Sequence, residues 1–272
     1  MGILNVTPDS FSGDGLLAEG GRSPIEQAAA FIAAGADILD VGGESTRPGA
    51  GSVSEAEELA RVLPVIREIH KEHPKAYISI DTYRAGVAEA ALDAGARMVN
   101  DVWALRADPH MAGLVADRDV PVVLMHNRLT PGSAEVRERL GGRYVGVPYK
   151  NLMEDVRAEL LESVRIARAA GVSERRIILD PGLGFGKTTA QSLELLNRLD
   201  ELKDLGYPLL IGPSRKSFIG YTLDLSADER VEGTAAAVVI GIVRGANIVR
   251  IHDVPEIVRA VRMADAILGS AG

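Results

Sequence analysis

Cysteine is absent from this sequence of 272 residues, which excludes disulfide bonds, thiolate nucleophiles and cysteine-bound zinc. Aromatic residues make up only 4% of the chain and hydrophobic residues 46%, so the core is expected to be mainly aliphatic. The formal net charge of −8 is the opposite of the basic balance typical of general nucleic-acid-binding proteins. No apolar run reaches the roughly 18 residues that a membrane helix needs. We therefore expect neither nucleic acid nor a membrane as a partner.

Targeting and linker signals are also missing. The N-terminal stretch MGILNVTPDS has neither the basic start nor the long apolar segment of a secretory signal. No Pro-, Gly- or Ser-rich linker or low-complexity segment divides the chain. These features predict a cytoplasmic protein in which residues 1–272 form a single domain.

Short aliphatic runs recur along the chain, and each ends in a polar or glycine-rich loop before a segment of helical length. The eight runs are GILNV from Gly2, DILDV from Asp37, AYISI from Ala76, RMVND from Arg97, VPVVLM from Val120, RIILD from Arg176, PLLIG from Pro208 and NIVRI from Asn247. Near-continuous apolar runs are typical of parallel strands that are covered on both faces. The pattern therefore predicts about eight βα units.

Helices are predicted between the runs, over Ser54–His73, Arg84–Ala94, Leu152–Ala170, Ala190–Leu205, Arg230–Arg244 and Pro255–Leu268. Eight βα units in a chain of 272 residues, close to the ~250 residues typical of the fold, favour an α/β fold of the closed (β/α)8 TIM-barrel type. An open, doubly wound sheet is the alternative, but GLGFGK at Gly182–Lys187 does not have the glycine spacing of a dinucleotide-binding fingerprint. The longest irregular stretches are predicted to be mobile loops, and they are Thr7–Ser23, Glu44–Val53 and Asn127–Lys150.

In a βα barrel the ligand site lies at the carboxyl ends of the strands, so the residues just beyond each run are the candidates for function. They are mostly polar or charged, and they are Asn5, Thr46, Arg47, Asp81, Asn100, Asp101, His126, Asp180, Ser214, Arg215, Lys216, Arg250 and His252. Two chemical groups stand out among them.

The first group is cationic with one amide, and it comprises Asn5, Arg47, Arg250 and His252. Arg250 and His252 are two positions apart on the last strand, so their side chains face the same side. Such a group suits a phosphate or pyrophosphate, which a guanidinium binds through charge-assisted hydrogen bonds. A structural alternative is that Arg250 pairs with Asp253 or Glu256 on the surface.

The second group is acidic with one amide, and it comprises Asp81, Asn100 and Asp180. A carboxylate binds a planar N–C–N edge through two parallel hydrogen bonds, as it binds arginine. A 2-amino-4-oxopyrimidine has such an edge, so the predicted ligand is a pterin or a guanine-like ring. Structural alternatives exist here too, since Asp81 could cap the following helix and Asp180 could form a turn with Pro181. His126 is either a site residue or a packed core histidine.

The segment GPSRKSFIG, Gly212–Gly220, places a hydroxyl and two cations directly after a buried strand. Its Lys216 could form a Schiff base or contact a ring and an anion. The second role is favoured, because Schiff-base lysines tend to be desolvated by apolar neighbours and Lys216 lies in a loop with serine and glycine.

Eight segments occur in order, one at each strand end: MGILNVTPDSFS, DVGGESTRPG, ISIDT, VND, LMH, DPGLGFGK, GPSRKSFIG and VRIHDV. Together they resemble the dihydropteroate synthases, the pterin-binding enzymes of bacterial folate biosynthesis. The resemblance extends over almost the whole chain, and NVTPDSFS with GGESTRPG is its most specific part.

The resemblance implies an enzyme that joins 6-hydroxymethyl-7,8-dihydropterin pyrophosphate to p-aminobenzoate and releases pyrophosphate, with Mg²⁺ as cofactor. The implied pterin-binding residues are Asp81, Asn100, Asp180 and Lys216. The implied pyrophosphate-binding residues are Asn5, Arg47, Arg250 and His252, with Asn5 as the metal contact. The implied p-aminobenzoate-binding residues are Thr46, Pro48, Phe185, Ser214 and Lys216. The implied catalytic residues are Arg47, Lys216, Arg250 and His252.

The resemblance also implies a homodimer and a dissociative reaction. Pyrophosphate would leave a CH₂ group whose developing cation is delocalised into the pterin, so the protein's task is to stabilise the leaving anion and to exclude water. An arylamine attacks without prior deprotonation, in agreement with the lack of an obvious general-base constellation. The loop Ser45–Pro48 is implied to fold over the bound substrates.

Two other functions stay open. A related pterin-binding barrel transfers a methyl group from a folate to a corrinoid protein, a reaction without pyrophosphate, and Arg47, Arg250 and His252 argue against it. A non-catalytic relative that binds pterin without turnover is expected to lose part of the loop or of the cationic group, and this chain keeps both.

Overall fold

The computed structural model of the chain describes residues 1–6, 23–44, 53–128, 134–137, 140–144 and 148–270. Its strands are β1 (Gly2–Asn5), β2 (Ile38–Gly42), β3 (Tyr77–Asp81), β4 (Met98–Asp101), β5 (Val122–Met125), β6 (Ala134–Arg137), β7 (Gly141–Tyr144), β8 (Ile177–Asp180), β9 (Leu210–Ile211) and β10 (Ile248–Val249). Its α-helices are α1 (Pro24–Ala34), α2 (Glu55–Glu72), α3 (Ala85–Asp93), α4 (Met111–Arg118), α5 (Leu152–Ala169), α6 (Thr189–Asn197), α7 (Ser217–Leu223), α8 (Val231–Val243) and α9 (Val254–Gly269).

Eight of these strands form the wall of a barrel. Strands β1 to β5 pair in parallel in chain order, β8 pairs with β5, and β10 pairs with β9. Two parallel bridges join the two sheets, one between Leu179 and Leu209 and the other between Gly2 and Ile251. The Ile3 N–H donates to the Ile251 carbonyl at 2.9 Å across the second junction. The eight strands therefore close into a ring. This confirms the predicted (β/α)8 barrel and rules out the alternative, an open sheet.

Five of the six predicted helices have both ends within one residue of the observed ends, and α2 is one whose first turn is capped by a side chain. The helix predicted over Ser54–His73 is α2, and the Ser54 hydroxyl accepts a hydrogen bond from the Glu57 N–H at 3.2 Å. An N-cap of this kind satisfies one of the free N–H groups of the first turn. Helix α1 was not predicted, although Ser23 and Glu26 form a complete capping box at its start. Helices α4 and α7 were not predicted either.

Two predictions about local structure are wrong. The single helix over Ala190–Leu205 is in fact α6 followed by a 3₁₀ helix, Leu199–Leu205. Leucines at 199, 202 and 205 are spaced by three, which aligns them on one side of a 3₁₀ helix, and Leu199 and Leu202 are buried there.

The stretch Asn127–Lys150 is not wholly irregular, because β6 and β7 pair in an antiparallel hairpin. A long loop without secondary structure is uncommon in a compact domain, since its backbone polar groups need partners. For the other two predicted loops, residues 7–22 and 45–52 lie outside the described residues.

The interior of the barrel has an apolar lower layer and a polar layer above it. The lower layer consists of Met1, Met98, Val123 and Leu210 with Ile38, Tyr77, Ile178 and Ile248 packed against them. Strand side chains two positions apart face the same side, so the next positions include the polar residues Asp40, Ser79, Asn100, Asp180 and Arg250, together with Ile3, Met125 and Gly212. The strands thus place the polar side chains at the carboxyl end of the barrel. No helix within the described ranges is long and apolar enough to cross a membrane.

Candidate active site

Strand register brings the first predicted site residues side by side at the mouth of the barrel. Asn5 of β1 is level with Gly42 of β2, Gly42 with Asp81 of β3, and Asp81 with Asn100 of β4. Asn5 is exposed, whereas Asn100 is 4% exposed. The mouth therefore offers an accessible amide at one strand and a buried amide three strands away.

Arg250 lies at the centre of the acidic residues. Its Nε donates to Asp40 Oδ2 at 2.5 Å and its Nη2 to Asp81 Oδ2 at 2.6 Å. Asn100 Nδ2 donates to the same Asp40 oxygen at 3.1 Å. The two chemical groups distinguished in the sequence therefore meet in one network. The structural alternative for Arg250 is wrong, because the residue that pairs with Asp253 is Arg215.

Burial and charge shift the pKa values of this network in a direction that keeps Arg250 charged. Although burial opposes its charge, the carboxylates of Asp40 and Asp81 raise the pKa of Arg250 above its usual value. Burial raises the pKa of Asp81 to about 7, Arg250 opposes this shift and the nearby Asp40 adds to it. Asp81 is thus a carboxyl group poised to gain or lose a proton near neutrality. It does not cap α3, whose N-cap residue is Arg84.

Asp40 is a site residue that the sequence analysis missed. It is fully buried, and its Oδ1 has no hydrogen-bond partner among the described residues. A buried acceptor without a partner is costly, so this oxygen is available to a donor group of a ligand. The available signal was a charged residue in the middle of the apolar run DILDV.

A second cluster surrounds Lys216. Its Nζ donates to the Leu183 carbonyl and lies 4.5 Å from the centre of the Phe185 ring. Burial lowers the pKa of Lys216 to about 8, while Asp180 opposes the shift. Burial likewise raises the pKa of Asp180, and Lys216 opposes it. The ammonium thus lies over the ring of a neighbouring side chain and is more desolvated than the sequence suggested, and the predicted contact of Lys216 with a ligand ring and an anion stays a prediction.

Asp180 has the turn-forming role, one of the two that the sequence left open. Its Oδ1 accepts a hydrogen bond from the Gly182 N–H at 2.7 Å, which makes the turn after β8. The same carboxyl group is close enough to Lys216 and Arg250 for their charges to affect its pKa. The turn-forming role is therefore confirmed, and it fixes the carboxylate at the mouth.

Ser214 and His252 form the third part of the site. Ser214 Oγ lies 3.0 Å from His252 Nδ1, and the His252 backbone N–H donates to the same oxygen at 3.0 Å. Because Oγ accepts from the backbone, its proton is free to point at Nδ1, and the ring then carries its proton on Nε2. Arg215, between Ser214 and Lys216, has a φ of 55°. Its backbone N–H donates to Thr234 Oγ1 at 3.1 Å and its carbonyl accepts from Arg230 Nη1 at 2.8 Å, which holds this unusual backbone conformation. Its side chain pairs with Asp253.

His126 lies behind the mouth, in the core. It is 2% exposed, its Nδ1 is 2.9 Å from Lys187 Nζ, and its Nε2 is 3.0 Å from Glu159 Oε2. Burial and the nearby Lys187 lower the pKa of His126 to about 4, so the ring is neutral at physiological pH. The packed-core alternative for His126 is therefore confirmed. Lys187, part of the motif DPGLGFGK, was not singled out by the sequence analysis.

The remaining predicted residues, Thr46, Arg47 and Pro48, lie outside the described residues. Within the described ranges, no three His, Asp or Glu side chains are grouped as a dedicated metal site. An Mg²⁺ ion commonly keeps several waters and takes its other ligands from one or two protein groups and from substrate phosphates. The side-chain oxygen of Asn5, an exposed residue, is a ligand of the type that suits such a contact.

Comparisons with known proteins agree with this geometry. Residues 1–252 match the family described as pterin binding enzyme. Dihydropteroate synthase of Bacillus subtilis is 50% identical over 272 residues, which is 100% of this chain and 89% of that protein.

Two solved structures have the same fold. Dihydropteroate synthase of Clostridium difficile, solved in the presence of pteroic acid, is 47% identical with a TM-score of 0.85, over 98% of this chain and 95% of that chain. The Xanthomonas albilineans enzyme with 4-aminobenzoic acid is 41% identical with a TM-score of 0.85, over 98% of this chain and 92% of that chain. The chain belongs to the pterin binding enzyme family and, within it, to the dihydropteroate synthases.

Proposed function

We propose that this chain condenses 6-hydroxymethyl-7,8-dihydropterin pyrophosphate with p-aminobenzoate to give 7,8-dihydropteroate and pyrophosphate, a step of folate biosynthesis. One observation carries the proposal. Arg250 donates hydrogen bonds to Asp40 and Asp81, and it lies near Lys216, whose charge interacts with that of Asp180. The mouth of the barrel thus contains both hydrogen-bond acceptors for a pterin and cations for the pyrophosphate. The pteroic acid and 4-aminobenzoic acid of the two solved relatives support the same substrates.

The pterin is assigned to the acidic side of the mouth, where it contacts Asp81, Asn100, Asp180 and Lys216. An ionised carboxylate accepts two parallel hydrogen bonds from the amino group and ring N–H of the pterin. The free Oδ1 of Asp40 is a further acceptor at the same depth. Asn100 and Lys216 supply donors for the ring oxygen and ring nitrogens.

The pyrophosphate is assigned to Asn5, Arg47, Arg250 and His252. Arg250 uses Nε and Nη2 for Asp40 and Asp81, which leaves other N–H donors of the guanidinium for an anion. An Mg²⁺ ion would be held by Asn5 and by pyrophosphate oxygens, where it would neutralise part of the leaving group's charge.

The p-aminobenzoate is assigned to Thr46, Pro48, Phe185, Ser214 and Lys216. Phe185 supplies an aromatic face next to the Lys216 ammonium. The Ser214 hydroxyl donates to the carboxylate of p-aminobenzoate in exchange for its contact with His252.

The proposed chemistry depends on charge stabilisation rather than on proton abstraction. The C–O bond breaks with its electron pair retained by pyrophosphate, the arylamine nitrogen forms the C–N bond with its lone pair, and one proton is released. Arg47, Arg250 and His252 stabilise the departing anion, and Lys216 positions the ring and the amine. They are the proposed catalytic residues, because each contacts a substrate.

The deciding experiment measures pyrophosphate release from the pterin pyrophosphate with Mg²⁺, with and without p-aminobenzoate. Release that requires p-aminobenzoate and yields dihydropteroate supports the proposal. Tight pterin binding without any release would instead indicate a binding-only protein, and methyl transfer from a folate would then be tested.

We also propose that the enzyme works in the cytoplasm as a homodimer. Helix α8 is apolar on nearly all sides, and its Ile240 and Val243 side chains are 46% and 56% exposed. A groove of about 300 Å³ runs beside it between α6, α7 and α8 and contains Leu193 and Leu223. Helices that are apolar on all sides are normally buried, so a second copy of the chain is the proposed cover. Helix α7 begins one residue after Lys216, and the interface would therefore support the site.

A further inference from the structure

Lys187 is a lysine buried in the core behind the active site. It is 2% exposed, and its Nζ lies 2.9 Å from His126 Nδ1, 3.0 Å from the Gly182 carbonyl and 3.0 Å from the Phe185 carbonyl. An ammonium has three N–H donors, so each donor has one acceptor. Burying a cation costs free energy unless it is fully hydrogen-bonded; burial lowers the pKa of Lys187 to about 7 while Asp180 opposes the shift, and in the protonated form all three donors are satisfied.

The acceptors belong to a loop that wraps around the ammonium. Gly182, Gly184 and Gly186 have φ values of 69°, 77° and 60°, and this left-handed backbone is one that glycine adopts without strain. The turn directs the carbonyls of residues 182 and 185 inward to Lys187 Nζ. The Leu183 carbonyl instead accepts from Lys216 Nζ. The loop therefore links two lysine ammonium groups, one in the core and one at the mouth.

The imidazole partner of Lys187 is itself fixed in position. The His126 backbone N–H donates to the Asp180 carbonyl at 2.8 Å. His126 is therefore bound to the last residue of β8, the strand from which the loop 182–187 continues. Glu159 Oε2 lies 3.0 Å from Nε2, off the direction of a well-aligned hydrogen bond. Arg128 holds the other oxygen of Glu159. A neutral ring with its proton on Nε2 leaves Nδ1 as an acceptor for Lys187.

We propose that Lys187 is a positioning residue that fixes the loop 182–187 and, through it, the Lys216 ammonium and the Phe185 ring. This inference rests on the proposed function, which assigns both of those groups to substrates. Lys187 itself contacts no substrate in this scheme. Its loss removes the ammonium donor from the Gly182 and Phe185 carbonyls and leaves the Gly182 carbonyl with the Phe185 N–H, at 3.0 Å, so the loop relaxes and the p-aminobenzoate side of the site is affected first.

The test compares wild type with Lys187→Met, which keeps the length and apolar stem of the side chain and removes the ammonium. The expected result is a rise of about tenfold or more in the KM for p-aminobenzoate and a similarly weakened affinity for pteroic acid. The fraction of folded protein, measured by circular dichroism at the assay temperature, should match that of wild type. Lys71→Met, at a side chain that is 74% exposed, is the matched control and should leave both quantities unchanged.

A purely structural role predicts a different pattern, in which kcat per total protein falls with the folded fraction while KM and pteroic acid affinity stay at wild-type values. That pattern would overturn the proposal. If Lys187→Met does not fold, His126→Leu removes one of the three acceptors, and it should raise the same KM by a smaller factor. An unchanged KM in that variant also overturns the proposal.

Calorimetric titration of pteroic acid separates this inference from the proposed function. Wild type that binds pteroic acid but makes no dihydropteroate would disprove the synthase reaction, and the affinities of wild type and Lys187→Met would still decide the role of Lys187. Wild type that makes dihydropteroate, together with a variant of identical KM and affinity, would disprove only the role of Lys187.

Discussion

Arg250 and Asp40 are 210 positions apart in the chain, yet Arg250 Nε lies 2.5 Å from Asp40 Oδ2. The pairing spans the barrel from β10 to β2 and depends on closure of the ring next to β1. Asp40 is fully buried and the Arg250 side chain is 21% exposed, so the guanidinium joins the core to the mouth. It is both a structural counter-ion and a group that a ligand can reach.

Arg250→Ala should lower kcat/KM by about 10²–10³-fold, the usual cost of one preorganised charge or hydrogen-bond donor. Pterin without pyrophosphate should still bind, because Asp81, Asn100 and Asp180 remain. Product formation followed by chromatography, together with calorimetry of pterin binding, checks both statements. Arg165→Ala, at an exposed arginine of α5, is the control and should behave as wild type.

Arg250→Lys distinguishes the effect of the two directed guanidinium N–H donors of Arg250 from the effect of its positive charge. A lysine retains the positive charge but not the two directed donors, so its kcat/KM should lie between those of wild type and Arg250→Ala. Because Asp40 is buried, Arg250→Ala should also lower the free energy of unfolding by about 3–5 kcal/mol. Unchanged turnover in Arg250→Ala would remove the pyrophosphate assignment.

Pterin affinity should depend on pH through Asp81, whose pKa burial raises to about 7. The ionised carboxylate is the form that accepts two hydrogen bonds from the pterin. Below pH 7 the free protein must lose a proton to bind, so affinity should fall towards ~tenfold per pH unit, and it should level off above pH 7. Calorimetry across this range checks the sign.

Asp81→Asn removes the titrating group and should give weaker binding with no pH dependence from this source. Asp93→Asn, at an exposed aspartate of α3, should retain the wild-type pH profile. The same pH profile in wild type and Asp81→Asn would exclude Asp81 as the titrating pterin ligand.

Ser214→Ala should raise the KM for p-aminobenzoate by about 10–100-fold, because a hydrogen bond to a charged group contributes about 1.5–3 kcal/mol. The affinity for pterin should stay close to that of wild type. Steady-state kinetics with each substrate varied in turn measures the two effects, with Ser270→Ala at the end of α9 as the control. A rise confined to the KM for the pterin substrate would place Ser214 on the other side of the site.

The positions of the site residues could be predicted because strand ends of a closed barrel must converge. Asp81, Asn100 and Asp180 each follow an apolar run, and the sequence shows that locally. Their partners could not be predicted in the same way. Asp40 reaches Arg250 only after the ring closes, so no local pattern in DILDV indicates the contact.

Lys187 was not singled out in the sequence for a related reason. A lysine after three glycines is a surface residue by composition, and only the packing of His126 against the loop makes it a buried one. Helix ends were easier, because they depend on residues near one another in the chain, as where Ser54 and Asn151 cap their helices through residues three positions away. Contacts within one helical turn could therefore be predicted from the sequence, whereas contacts between side chains on opposite sides of the barrel could not.

Gly182→Ala should disrupt the loop that carries Phe185. A Cβ at Gly182 would come within 2.0 Å of the His126 carbonyl oxygen, in a backbone with φ of 69°. Gly206 has a similar φ of 80°, but a Cβ there would meet nothing within 4 Å. Gly206→Ala should therefore cost only the backbone strain, about 1–2 kcal/mol. Gly182→Ala should cost about 1–3 kcal/mol more from overpacking.

Denaturant unfolding of both glycine variants measures the difference in free energy of unfolding. The KM for p-aminobenzoate should rise in Gly182→Ala even under conditions in which the protein is folded, since Lys187 loses its acceptor geometry. Equal destabilisation by the two substitutions would show that the close approach of His126 to Gly182 does not constrain the loop.

Ile240→Asp should convert the proposed homodimer into a monomer. The substitution places a charge on the apolar surface of α8, and burying an unpaired carboxylate in an interface is costly. In the monomer the same side chain is 46% exposed, so folding itself should be affected little. Sedimentation velocity gives the mass, and circular dichroism verifies the fold.

Leu161→Asp on α5, at a leucine that is 43% exposed and lies outside the groove, should leave the dimer intact. A wild-type protein that is monomeric at micromolar concentration, or an Ile240→Asp variant that still dimerises, would mean that α8 is not the interface.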